Sequence, residues 1–352
     1  MIQTINISES VAWDKALRQV PVADVYYRRG YVRAFQIIGD GEPVLLEWSQ
    51  GDVCGVCVLM MRNIEQSAFF EGKIPVGKYF DAVTPYGYGG FVFNKAPSND
   101  DIILLKSELT DLLTKKRLVS VFFRFHPVLK NADALRNIME VVDLGKTIAM
   151  NLESPEVIWA NITSKNRNMI RKAEKNGVII KHGKGLLLLE KFREIYNQTM
   201  LDDNAAGYYF FEPNFYESID RELNDNYEIF YAEYNGQIIA MSIMLYSGQQ
   251  MHYHLSGSVR AFRHLAPSNL LLYQAALWGY SHGFKTFHLG GGVGSGQDPL
   301  YKFKAAFNRN SDYQFSIGKL IVDPDIYARL VEIRKQDPSF DPHSKFFPIY
   351  RS

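Results

Sequence analysis

Apolar and polar positions along this chain change period in the same order twice. In the first half, VLLEWSQGDVCGVCVLMMRN (residues 44–63) reads as two strands joined at Gln50-Gly51, a two-residue hairpin signal. Residues 78–90, KYFDAVTPYGYGG, form a strand running into a Gly/Tyr loop. Over residues 100–116, Ile103, Leu104, Leu109, Leu112 and Leu113 recur at helical spacing behind an Asp/Asn cap. Residues 118–125, LVSVFFRF, then make a strand ended by His126-Pro127. The second half repeats the plan. EIFYAEYNGQIIAMSIMLY (228–246) is a hairpin around Asn235-Gly236 and MHYHLSGS (251–258) a strand. Residues 267–282 carry Leu270, Leu271, Ala275 and Leu277 at helical spacing until Gly283 stops the helix, and 285–289 is a strand running into Gly290-Gly291-Gly292. Hairpin, strand, loop, helix, strand, twice over, is a duplication of an α/β unit. A helix around residues 13–19 precedes the first copy, and residues 318–332 read as a strand then a helix that returns to complete it.

A chain of 352 residues is longer than one hydrophobic core usually serves, which agrees with two domains. The expected boundaries are 1–148, completed by 318–352, and 149–317, with the link near 144–153. Net charge is +1, so any phosphate or nucleic-acid contact must come from a local patch. The N-terminus lacks a basic start followed by an apolar run, and the longest apolar stretches fall well short of the roughly 20 residues of a membrane span. The expectation is a cytoplasmic protein with at most peripheral membrane contact. Cys54 and Cys57 lie in a strand, where period two sends them to opposite faces, so neither a redox pair nor a metal site is expected.

The repeated order is that of the acetyltransferase (GNAT) fold, whose mixed sheet splays where two core strands part and the acyl donor enters. The second half resembles the bacterial FemABX peptidoglycan-bridge aminoacyltransferases over about residues 159–332. The resemblance rests on the basic segment 163–177, HYHLSGS, FHLGGG (287–292) and LYKFKAAF (300–307), with TPYGYGG and FFRFHP in the first half. It implies tandem GNAT-like domains, each a mixed sheet flanked by helices. It also implies transfer of an activated amino acid from aminoacyl-tRNA to an amine of a peptidoglycan precursor, or a related nucleotide- or lipid-linked glycopeptide, with no metal and no obligatory cofactor. In the Phe-Lys-x-x-Phe motif the catalytic lysine is Lys304, with Lys302 as the alternative. A fixed ammonium there would stabilise the negative charge that builds on the carbonyl oxygen. Phe303 and Phe307, at i and i+4, place Lys304 off the apolar face of its helix, where a plain solvated lysine is the competing reading.

Other candidates follow. Residues 161–184 hold seven Lys/Arg against one acid, and Arg167 and Arg171 share one helical face able to clamp phosphates, or simply to meet solvent. Gly290, Gly291 and Gly292 allow close backbone approach to a ligand, although they fit neither a dinucleotide fingerprint nor a P-loop. Tyr86, Tyr88, Tyr253 and His254 sit at strand ends beside the expected clefts, as substrate-binding groups or as core. Two positions depart from the family pattern. Phe211 stands where precursor-binding members carry a phosphate-gripping Arg. His126 stands where some carry an aspartate, which makes it a candidate general base or a strand-end cap. Acyl-CoA is the rival donor, yet the loop RAFRHLAPS (260–268) lacks the glycines of a pyrophosphate cradle, and residues 89–98 do not fit either. A coenzyme A-dependent N-acyltransferase and a non-catalytic binding protein are therefore the alternative functions; DNA is not an expected partner.

Overall fold

The computed structural model describes all 352 residues, which fall into two compact units, Met1–Leu144 with Phe315–Ser352, and Gly145–Gln314. The first begins β1 (Ile2–Asn6), α1 (Ser10–Gln19), α2 (Arg29–Ile37), β2 (Glu42–Gln50) and β3 (Val53–Asn63). It continues β4 (Phe80–Val83), β5 (Val92–Phe93), α3 (Asn99–Lys115) and β6 (Leu118–Arg124), and enters β7 (Glu140–Asn151). The second holds α4 (Pro155–Asn161), α5 (Ser164–Lys175), β8 (Ile179–Gly183), α6 (Leu186–Asp202) and α7 (Pro213–Glu222). Then come β9 (Tyr227–Tyr234), β10 (Gln237–Ser247), β11 (Gln250–Ser258), α8 (Pro267–Ser281), β12 (Thr286–Gly290) and α9 (Pro299–Ala305). The chain returns to the first unit through β13 (Tyr313–Ile321) and ends with α10 (Pro324–Arg334) and a short tail. No helix is long and apolar enough to cross a membrane.

Both units carry a mixed sheet with the same internal logic. Strand order is β1-β2-β3-β4-β6-β13 in the first and β7-β12-β11-β10-β9-β8 in the second. Each contains one parallel pair, β4 with β6 and β11 with β12, amid antiparallel neighbours. The hairpin turns sit where the sequence puts them: Asn235 and Gly236 have φ of 49° and 76°, and Gly51 has φ of 57°. Helix α3 starts from a capping box in which Ser98 and Asp101 exchange hydrogen bonds. Its buried stripe is Ile102, Leu105, Leu109 and Leu113, one step away from the Ile103, Leu104 and Leu112 of the sequence reading; Ile103 is 66% exposed. Spacings of three and four pick out a single face, and in the run IILL only one pair can occupy it. Residues 144–151, expected within a link, are strand: β7 pairs with β12 from Ile148 to Asn151.

Helices α5 and α8 cover one face of the second sheet, burying Ile170, Ala173, Leu271, Leu272, Ala275 and Ala276. In the first unit a fully buried carboxylate holds the C-terminal tail. Asp81, on β4, accepts from Arg62 Nε at 2.8 Å through one carboxylate oxygen and from Tyr350 and Arg351 of the tail through the other. The tail is thus pinned to the centre of the sheet by ionic hydrogen bonds, with Tyr350 also 2.8 Å from Ser120. Removing the carboxylate strands two guanidinium groups. Asp81→Ala is expected to cost about 3–5 kcal/mol and to expose the tail to proteolysis, which denaturant unfolding and limited digestion would measure.

Candidate active site

Parallel strands β11 and β12 are in register only from Gln250 opposite Thr286 to His252 opposite His288. Beyond that point they part. Strand β11 stays on β10, with a bulge that skips His254, and β12 stays on β7, with a bulge that skips Leu289. One side of the split therefore presents Tyr253, His254 and Ser256, and the other the turn Gly290–Gly292. The comparable split between β4 and β6 is filled by the chain itself. Thr84 takes the place of a paired strand residue, its hydroxyl accepting from Arg124 N at 3.0 Å. Gly89 N donates to Arg124 O at 2.7 Å, and Asn131 holds Gly89 O at 2.8 Å.

Lys304 is the group brought to the open split. Helix α9 starts at Asp298, whose Oδ1 caps Tyr301 N at 2.8 Å while Oδ2 accepts from Val293 N at 3.2 Å. One side chain therefore ties the helix to the turn after β12. The helix carries Lys304 inward until it is only 9% exposed, and its Nζ donates to Gly291 O at 2.8 Å and lies 6.0 Å from the Tyr253 ring centre. Burial lowers its pKa to about 8, against a smaller raising effect of Asp298. Lys302, two positions earlier, is exposed. The glycines have specific work here. Gly290 has φ of 81°, and a Cβ on Gly292 would lie 2.3 Å from both Asp298 Oδ1 and Gly296 O.

Unlike Asp298, the titratable groups His254 and Tyr253 are uncharged near neutral pH. Burial, then the nearby His252, drives the His254 pKa down to about 3, so the ring is uncharged near neutral pH. Burial raises the Tyr253 hydroxyl, partly offset by hydrogen bonds to Ser256 and Ser242. His288 is buried, 3.0 Å from the Thr147 hydroxyl. Asp298, Thr147 and His288 were absent from the sequence reading, although Asp298-Pro299 is a readable helix start.

The remaining candidates are placed as follows. Arg167 and Arg171 do share a face, both over the Trp159 ring, at 5.9 and 5.2 Å. Arg167 donates to Ile162 O at 2.9 Å and Trp159 O at 3.3 Å, closing the end of α4, whereas Arg171 is exposed. Phe211 is buried and stacked 4.4 Å from Phe215, a core position. In the first unit, Tyr86 stacks on Phe35 at 5.3 Å and Tyr88 packs 5.6 Å from His126. His126 is fully buried. Its Nε2 lies 2.9 Å from Asp24 Oδ2, and its Nδ1 accepts from Leu129 N at 3.2 Å, which puts the ring proton on Nε2.

Residues 163–304 match the acetyltransferase (GNAT) domain family. No curated protein sequence matches the chain. Among solved structures, FemX superposes with a TM-score of 0.70 at 12% identity, over 94% of this chain and 99% of that one. The fold is that of FemX. A tandem GNAT protein from the clavulanic acid biosynthesis pathway also matches, with a TM-score of 0.51 and 9% identity over 92% of this chain and 99% of that chain. So does the C-terminal domain of a protein designated a lysylphosphatidylglycerol synthetase from Agrobacterium fabrum, at 0.53 and 12%, covering 94% and 96%. In this FemX-like fold the open split belongs to the unit that contains the GNAT match.

Two outcomes are expected. A lysine whose pKa falls from 10.5 to about 8 on folding weakens the native state by roughly 3 kcal/mol while it is charged in both states. The cost is full below pH 8 and fades between about 8 and 10.5, where the unfolded chain holds the extra proton. Lys304→Met should raise the thermal midpoint at pH 7, with the gain shrinking by pH 10; a gain that grows with pH would contradict the burial account. Gly292→Ala should lower the midpoint and disorder the turn, seen as faster amide exchange at residues 290–296.

Proposed function

We propose that this protein is an acyltransferase that moves an activated amino acid, delivered as aminoacyl-tRNA, to an amine of a peptidoglycan or other cell-envelope precursor in the cytoplasm. The observation that carries this reading is the buried Lys304 ammonium set across the split from Tyr253. When an amine nitrogen attacks the ester carbonyl, the C–N bond forms and negative charge gathers on the carbonyl oxygen. Collapse then breaks the bond to the ribose oxygen, and the proton lost by the amine ends on that oxygen or in solvent. A desolvated cation stabilises the charged stage far more than an exposed one does. The neutral His254, with its pKa near 3, is a poor proton acceptor but keeps its hydrogen-bonding capacity. Tyr253 and the 290–292 turn would border the reacting groups, and Arg171, with Arg167 behind it, would meet phosphates of the donor or acceptor. Tyr86, Tyr88 and His126 would serve the acceptor side, His126 through the hydrogen bonds it organises, since both ring nitrogens are engaged.

The GNAT match favours a second reading, acyl-CoA as donor. The loop before α8 supports it poorly. Residues Arg260–Leu265 form a 3-10 helix that uses its own amides, Phe262 N on Val259 O and Ala266 N on Arg263 O, and Pro267 has none to give. A non-catalytic binding protein would have no use for a buried, charge-weakened lysine.

The test is to supply charged tRNAs and a peptidoglycan precursor, then acetyl-CoA with the same precursor, and to follow acceptor mass. A gain of one amino-acid residue from tRNA is the expected result; a gain only from acetyl-CoA would select the second reading, and none from either would remove the assigned acceptor. With the active pair, Lys304→Ala should lower kcat by about a hundredfold or more with little change in KM. Wild-type kcat should fall above pH 8 as the lysine deprotonates.

A further inference from the structure

The first unit holds a cavity at the end of its sheet opposite to Tyr86, Tyr88 and His126. Those residues follow the C-terminal ends of β4 and β6. The cavity is bounded by Phe80 at the start of β4, Lys116 just before β6, and Arg62 and Asn63 at the end of β3. Its volume is about 790 Å³, within the size range of small-molecule sites.

Its charge is arranged by Asp81. One carboxylate draws two guanidinium groups together, Arg62 on one oxygen and Arg351 on the other, and each uses its Nε for the purpose. The outer nitrogens of both forks are left over, and Nη2 of Arg351 is buried with no hydrogen-bond partner. Lys116 adds an ammonium to the lining. The only carboxylate in that lining is Glu42, which accepts from Gln36 Nε2 at 2.6 Å. Counting Arg62, Arg351 and Lys116 against Asp81 and Glu42 leaves one uncompensated positive charge. Nη2 of Arg351 is shielded from solvent, so the donors an anion in the cavity would meet are the remaining fork nitrogens of Arg62 and Arg351 and the Lys116 ammonium.

We infer that this cavity binds a small phosphorylated ligand of sugar size. Three cationic side chains lining one cavity exceed what the two oxygens of a carboxylate accept, whereas a phosphomonoester offers three terminal oxygens. The rest of the lining mixes amide and hydroxyl groups, among them Asn6, Asn63, Gln66 and Ser67, with apolar side chains such as Ile7, Val44, Met61 and Phe80. That mixture suits a hydroxylated body. The site is separate from Lys304 and takes no part in acyl transfer.

Calorimetric titration of the full chain with a hexose phosphate tests this, with inorganic phosphate, the free hexose and malonate as comparison probes. Saturable binding of the hexose phosphate at one site is expected, with phosphate weaker and the hexose silent. Lys116→Glu, which disturbs no internal ion pair, should weaken it about tenfold or more while leaving the thermal midpoint in place. Arg351→Lys is the second variant, with its fold checked by the midpoint. Lys304→Ala should bind like wild type. The inference fails if neither phosphate probe saturates, if malonate binds as well as the hexose phosphate, if Lys116→Glu has no effect, or if Lys304→Ala abolishes binding.

Discussion

A pair of parallel strands can part only if other partners satisfy the backbone groups that lose each other. Strands β11 and β12 keep β10 and β7 on their outer sides, and beyond the fork other groups take over from the lost strand partner: Ser258 N donates to Thr199 Oγ1 at 2.9 Å, and Gly291 O accepts from Lys304 Nζ at 2.8 Å. Two bulges, at His254 and Leu289, take up the change of direction at the fork. The same parting in the first unit is resolved differently. There the Thr84–Gly90 loop re-enters the gap and substitutes a hydroxyl and loop amides for the missing strand. Two copies of one topology thus end with one gap filled by peptide and one lined by side chains.

The open gap dictates what can stand in it. An ammonium at that depth needs an acceptor, and the carbonyl of Gly291 supplies it only because the turn has no side chains to hold the chain away. Asp298 then couples the turn to the helix that delivers the lysine. The lysine, the turn and the helix start are one mechanical piece, so a change at Gly292 reaches Nζ of Lys304 without touching it. Neutral His254 and the raised Tyr253 hydroxyl add no charge to the gap, which leaves the lysine ammonium and the Asp298 carboxylate as the charged groups there.

Much of this architecture was legible as local signals. Asn235-Gly236, Gln50-Gly51 and the stop at Gly283 all act over a few residues, and each marks its element where the structure has it, whereas the cap of α3 is Ser98 and not the Asp/Asn of the sequence reading. What depends on distant contacts was not. Strand β7 carries Asp143, Gly145 and Lys146 in mid-course, a composition that reads as a link; its pairing with β12 makes it a strand. Which of the four apolar residues at 102–105 face inward depends on the phase of α3 against the sheet. Lys304 shows the same limit: a seven-residue helix has too little periodicity to assign a face, and its buried ammonium is held by Gly291, 13 residues earlier in the chain. The resemblance of the motif singled it out where spacing did not.

The basic segment of α5 and β8 is less basic in effect than its composition. Lys181 pairs with Glu233, Lys184 bonds Asn224 O beside Glu228, and Arg167 is committed to the carbonyls that close α4. Lys165, Arg171, Lys172 and Lys175 remain to face a polyanion. An RNA laid along this face would displace roughly four condensed counterions instead of seven. Its hold would loosen only gently as ionic strength rises, so that discrimination among RNAs on this surface would have to come from shape and stacking, for which the exposed guanidinium of Arg171 over Trp159 is the available platform.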